Sequence, residues 1–168
     1  YPLRRQRQMC IRDRDCMVLM PTGSGKSLCY QIPSLMSDGV VMVISPLIAL
    51  MKDQVDDARK HGLNATFINS SLTRDQREKA YRDLADNKLK LVFVTPERFR
   101  KKEFLDILKS IKISLMAVDE AHCISEWGHD FRPDYTRMKD IREALGNPPV
   151  MALTATATRK VQIDILDK

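Results

Sequence analysis

Short apolar runs recur along the chain with room for a helix between successive members. They are Cys16 to Met20, Val40 to Ile44, Ala65 to Ile68, Leu91 to Val94, Ile113 to Val118 and Val150 to Leu153. Each is apolar enough to be buried on both faces, which is the mark of strands in a parallel sheet covered by helices. The intervening segments carry the helical period over Lys26 to Met36, Leu47 to His61 and Thr73 to Asp86. Thr73 with Gln76 three residues on makes a capping box, and Gly62 and Gly146 stand where helices need a left-handed stop. Repeated βα units of this kind predict an α/β domain around a mainly parallel central sheet. No repeat, low-complexity tract or linker divides residues 15–168, which are expected to form one domain. The first fourteen residues show neither period. Met9 to Arg14, reading MCIRDR, fit an irregular segment and translated adapter sequence equally.

Composition agrees with a globular chain: of 168 residues, 43% are hydrophobic and 30% charged, enough for a core and a solvated shell. No apolar run approaches the roughly eighteen residues needed to cross a bilayer, and no apolar stretch follows the early arginines to make a signal peptide. The expected setting is intracellular with no membrane partner: cytoplasm or nucleoid in a bacterium, nucleus in a eukaryote. Cys10, Cys16, Cys29 and Cys123 have no C-x-x-C spacing, so they read as reduced thiols. The net charge of +6 invites a nucleic-acid partner, but five arginines against Asp13 put +4 of it in the first fourteen residues. With so little excess left for the rest of the chain, the case for nucleic acid must come from motifs.

Two motifs carry chemistry. Thr22, Gly23, Ser24, Gly25, Lys26 and Ser27 lie between a predicted strand and a predicted helix. Glycines there let successive amide N–H groups turn inward toward a phosphate chain, helped by the helix N-terminal dipole. Lys26 would reach the β and γ phosphates of a nucleotide such as ATP, and the Ser27 hydroxyl would ligate Mg²⁺. Met20 stands where the strict G-x-x-x-x-G-K-[ST] string has its first glycine. Asp119 and Glu120, followed by Ala121 and His122, emerge from the end of the 113 to 118 strand, where open parallel sheets place their chemistry. Alone, such a pair could cap a turn. Together with a phosphate loop, Asp119 is placed to hold Mg²⁺ and Glu120 to orient and deprotonate an attacking water. His122 could couple the nucleotide to later segments.

These blocks occur in a fixed order, and the chain resembles superfamily-two helicases, specifically RecQ-like DNA helicases of the DEAH type. The resemblance rests on MPTGSGKSLCYQIP (20–33), SPLIALMKDQV (45–55), VTPER (94–98), DEAHCISEWGHDFRPDY (119–135) and ALTATAT (152–158). It implies a three-layer RecA-like P-loop NTPase domain, the first of two motor lobes. It further implies ATP and Mg²⁺ as cofactors, single-stranded and duplex DNA as partners, and 3′ to 5′ polarity. The loop holding Trp127, His129, Phe131, Arg132 and Tyr135 is implied to contact single-stranded DNA and relay its presence to the ATP site. Exposed aromatics there could stack on bases at about 1 to 3 kcal/mol each, although aromatics also fill cores. Ser45, Pro46, Thr95 and Arg98, with Lys52 and Gln54 assisting, are implied to track a DNA backbone. Ordinary helix capping would explain the hydroxyls and prolines as well. Thr154 and Thr156 are implied to connect hydrolysis to strand movement, and could otherwise be turn residues.

The pattern departs from the family in two ways. The expected adenine-reading arginine and glutamine segment should lie roughly twenty residues before Lys26, where Leu3 falls, and Gln6 and Gln8 are out of register. The second motor lobe and its arginine finger are not encoded in these residues. The chain by itself is therefore expected to hydrolyse ATP very slowly, since such a finger contributes about 10³ to 10⁵ in rate. An RNA helicase or RNA-dependent ATPase, and a P-loop ATPase that never touches nucleic acid, are the alternatives. The SPL, TPER and TAT segments argue against the second.

Overall fold

The computed structural model describes residues 15–167. The strands are β1 (Cys16–Leu19), β2 (Val40–Ile44), β3 (Ala65–Ile68), β4 (Leu91–Val94), β5 (Ile113–Val118) and β6 (Val150–Thr154). The helices are α1 (Leu28–Met36), α2 (Ile48–Lys60), α3 (Arg74–Ala85), α4 (Lys102–Ser110), α5 (Met138–Ala144) and α6 (Arg159–Asp167). Short 3₁₀ turns occupy Pro96–Arg100, Ala121–Ile124 and Pro133–Arg137. The six strands form one sheet in the order β1-β6-β5-β2-β4-β3, every pairing parallel.

Alternation along β2 shows how the layers form. Val40, Met42 and Ile44 pack on one face with residues of α3, α4, α5 and α6, including Leu84, Phe104, Ile141 and Ile165. Val41 and Val43 pack on the other with Tyr30 of α1 and Met51, Val55 and Ala58 of α2. Helices cover both faces, so β2, β4 and most of β5 are buried throughout, as their unbroken apolar runs require.

Two expectations need correction. β1 and β3 are only partly buried, because they are the sheet's edge strands and have a neighbour on one side only. The first helix begins at Leu28 rather than Lys26. Its entry is a tight turn in which Leu28 N bonds Gly25 O at 3.0 Å and Cys29 N bonds Lys26 O at 3.0 Å. Thr73 forms the expected reciprocal box with Gln76, and Gly62 and Gly146 adopt positive φ at helix ends. The anomalous first fourteen residues, with the adenine-reading question at Leu3, Gln6 and Gln8, lie outside the described residues.

Candidate nucleotide and nucleic-acid site

Because every strand runs the same way, the segments at their carboxyl ends collect along one edge of the sheet. β1 and β6 pair directly, and β6 pairs β5, so the 20–27 loop, the 154–156 turn and the 119–122 turn are successive neighbours there. Met20 N extends the ladder to Thr154 O at 3.1 Å, and Asp119 N does the same to Ile44 O at 2.8 Å. The loop from Thr22 to Ser27 is partly to fully exposed. Gly23 at φ +79° and Gly25 at φ +85° take the left-handed turns an L side chain resists.

Asp119 is 7% exposed and its Oδ1 accepts the Glu120 N–H at 3.0 Å. Burial raises its pKa, the neighbouring Glu120 charge raises it further, and that N–H and the Lys26 ammonium pull the other way. Lys26 from the phosphate loop is therefore felt at the carboxyl of the second motif, and by the same charge at His122. Glu120 sits at φ +50°, a left-handed conformation for a residue with a side chain. Strain of about 1 to 3 kcal/mol at such a position persists only where surrounding structure enforces it.

His122 joins the 119–122 turn to the 154–156 turn. Its Nδ1 lies 2.9 Å from Thr154 Oγ1 and 3.4 Å from Glu120 Oε2. Thr154 Oγ1 donates to Thr156 O at 3.1 Å and accepts from Thr156 N at 3.3 Å. With the Thr154 proton so committed, the bond to His122 requires Nδ1–H as donor, an assignment made from the network. Burial, then the neighbouring His129, lowers the His122 pKa and favours the neutral ring. The His129 ring stacks on it with centroids 4.3 Å apart and planes 19° from parallel.

The stretch after His122 is the exposed part. Trp127 is 64% and Phe131 36% exposed, and Arg132 is held by Asp130 through bonds of 3.1 and 3.0 Å. The root of the loop is tight, for a side chain at Gly128 would bring Cβ to 2.4 Å from the His122 carbonyl oxygen. Tyr135 corrects the implied aromatic surface. It is fully buried and donates to Asp119 O at 3.3 Å, so it supports the turn from beneath.

The segments implied to follow a DNA backbone are placed less openly than expected. Ser45 and Thr95 are buried, and neither hydroxyl caps a helix. Ser45 Oγ accepts the Leu47 N–H at 3.3 Å, while Thr95 Oγ1 donates to the Glu97 carboxylate. Pro46 is half-buried beside Ser45. Thr95 leads into a five-residue 3₁₀ turn, too short for a strong helix dipole. Arg98 is buried and donates to Tyr81 Oη at 2.5 Å, with its Nε unpartnered. Sequence reasoning passed over Tyr81, Asp130 and Tyr135 as partners, because nothing in a linear pattern marks a residue that acts by holding another. Among the described residues Cys16, Cys29 and Cys123 are free thiols, as read, and burial followed by the Asp130 charge pushes the Cys123 pKa up to about 12. No helix of the described residues is long and apolar enough to cross a membrane.

A family model described as DEAD/DEAH box helicase matches residues 5–163. The ATP-dependent DNA helicase RecQ of Haemophilus influenzae is 49% identical over 156 residues, which cover 93% of this chain and 25% of that protein. The ATP-dependent DNA helicase RecQ of Bacillus subtilis is 52% identical over 148 residues, covering 88% and 25%. The ATP-dependent DNA helicase Q5 of Rattus norvegicus is 46% identical, covering 91% and 16%. The chain thus spans about a quarter of the length of these bacterial relatives. Among solved structures, the Pyrococcus furiosus Hef helicase domain superposes with a TM-score of 0.70 at 18% identity, covering 98% of this chain and 35% of that one. Mycobacterium smegmatis helicase Lhr bound to ssDNA and AMP-PNP gives 0.65 at 21%, covering 90% and 22%. At such identities the likeness is one of fold.

Proposed function

Because the chain belongs to the DEAD/DEAH box helicase family, we propose that it is the ATP-binding motor domain of a RecQ-like ATP-dependent DNA helicase. In this reading it couples ATP hydrolysis to unwinding of DNA inside the cell, and residues 15–168 act with a second motor lobe of the same full-length protein. The observation that carries the reading is the meeting of the 22–27 loop, the 119–122 turn and the 154–156 turn on one sheet edge, with Lys26 acting on Asp119.

The residues present fit a magnesium nucleotide. Positive φ at Gly23 and Gly25 is the backbone a phosphate-cradling turn requires, and the buried Asp119 carboxyl is a group whose charge a divalent cation would stabilise. Bound Mg²⁺ would neutralise charge on the phosphates. Lys26 would bind the β and γ phosphates, Thr22 to Ser27 would cradle the chain of phosphates, Ser27 and Asp119 would hold the metal, and Glu120 would orient and deprotonate the attacking water. His122, through Thr154 and Thr156 on one side and His129 on the other, transmits the state of that site to Trp127, Phe131 and Arg132, which meet single-stranded DNA. Ser45, Pro46, Thr95 and Arg98 shape the backbone that tracks the phosphates of the same strand.

The test is to join the chain to a RecQ-type second lobe and measure steady-state ATP hydrolysis. Single-stranded DNA should stimulate turnover, Lys26→Ala should abolish it, and Glu120→Gln should reduce it by about two orders of magnitude or more. Equal stimulation by RNA of the same length would contradict the DNA assignment. Unchanged turnover in Glu120→Gln would remove that residue from the role of base.

A further inference from the structure

Trp127 is the only tryptophan in the chain, and it is not a free platform. The Lys160 ammonium sits over its ring, 3.1 Å from the centroid. Lys160 is the second residue of α6, the helix that comes after the 154–156 turn, and α6 packs on the 121–124 turn from which the exposed loop departs. The loop is therefore tied to the sheet edge at two separate places. His129 stacks on His122, which bonds Thr154, and Trp127 lies under Lys160, four residues beyond Thr156 in sequence.

The ring face under Lys160 has space for one occupant. A stacked base would lie about 3.5 Å from the ring, the contact distance between carbon atoms, and the ammonium already fills that layer. A base arriving on that face must displace it. A displaced lysine has somewhere to go, since each stacked nucleotide brings its phosphate alongside and the ammonium is a compact charge on a flexible four-carbon stem. We infer that Lys160 is a nucleic-acid-binding residue that works as a pair with Trp127: it holds the ring in the DNA-free state and moves to a strand phosphate when a base takes its place. The inference rests on the reading of the 127–132 loop as a single-stranded DNA surface. It adds a residue from the far side of the 154–156 turn, so that strand binding would act on α6 directly.

Because no other tryptophan contributes, emission from the intact 168-residue chain reports this site alone. Without DNA, Lys160→Ala should red-shift that emission and make it more accessible to acrylamide. An oligothymidylate of about 15 nucleotides should change wild-type emission saturably. Lys160→Ala should bind it roughly three- to tenfold more weakly, with a salt slope smaller by about 1. Lys160→Arg should keep affinity within about twofold, since a guanidinium also covers an aromatic face and binds phosphate. Identical emission and quenching in Lys160→Ala would overturn the contact. Unchanged or tighter binding by Lys160→Ala would reduce the lysine to a cover for the ring and overturn its role in binding. A wild-type chain whose emission ignores the oligonucleotide, while Lys160→Ala still shifts without it, would leave the contact standing and overturn the reading of the loop. Lys160 is exposed and an exposed contact of this kind contributes little to stability, so the substitution should move the circular dichroism melt by no more than a few degrees.

Discussion

Asp119 has to be ionised to hold a cation, yet the fold opposes that ionisation. Burial first, and Glu120 second, raise its pKa above the ordinary carboxylate value. A carboxyl whose pKa is higher folded than unfolded stabilises the chain while it is protonated. That contribution is present below the unfolded pKa and is lost as pH rises through the folded one. In thermal melts of the nucleotide-free chain across the acid range, Asp119→Asn should therefore gain stability relative to wild type as pH rises. A difference between the two that does not move with pH would contradict the account. The same residue scale supplies a second test at Thr154, whose hydroxyl is the partner of the buried His122 Nδ1–H. Thr154→Ala removes the nearer acceptor of that donor, leaving Glu120 Oε2 at 3.4 Å, and should cost about 1 kcal/mol in urea denaturation. The loop glycines, Lys26, Asp119 and Glu120 could be picked out from the sequence because their chemistry demands those types at those spacings. The bond between His122 and Thr154 could not, since it joins residues far apart in the chain and exists only because β5 and β6 are neighbours.

Periodicity located the four inner runs of the chain well, whether or not burial was complete. β2 and β5 have the bounds their apolar runs imply, and β3 and β4 likewise, because each run ends at a polar or turn residue. It misjudged how deeply β1 and β3 are buried, since an apolar edge strand reads the same as a central one until the order of the sheet is known. It also left α4 and the 3₁₀ turns unplaced: α4 is only 9 residues long and starts without a side-chain cap, so no start signal marks it. At α3 the signal was complete, with Thr73 and Gln76 each bonding the other's backbone. Thr73→Ala should cost about 1 kcal/mol of stability by chemical denaturation, without changing nucleotide binding. The loop after the second motif depends on a close approach rather than a cap. Gly128→Ala would press Cβ into the His122 carbonyl, so the loop must shift. That variant should keep nucleotide affinity, and in the two-lobe protein it should lose most of its stimulation by single-stranded DNA.

At the scale of the whole molecule, a parallel sheet with helices on both faces converts separate sequence blocks into one edge. Blocks from the two ends of the described chain meet there because β1 and β6 are paired. The order of the strands was not legible in the sequence, for parallel connections leave no local trace of which strands become neighbours. Single residues are therefore a weaker test than the claim that one ligand touches two of these blocks at once. The direct measurement is equilibrium binding of a fluorescent ATP analogue to the 168-residue chain, with and without Mg²⁺, for wild type, Lys26→Ala and Asp119→Asn. If the nucleotide lies between the 25–27 turn and the 119–120 strand end, Lys26→Ala should weaken binding about tenfold or more in either condition, and Asp119→Asn should remove only the gain due to Mg²⁺. Asp119→Asn binding the magnesium nucleotide as tightly as wild type, with the same dependence on Mg²⁺, would contradict the shared site.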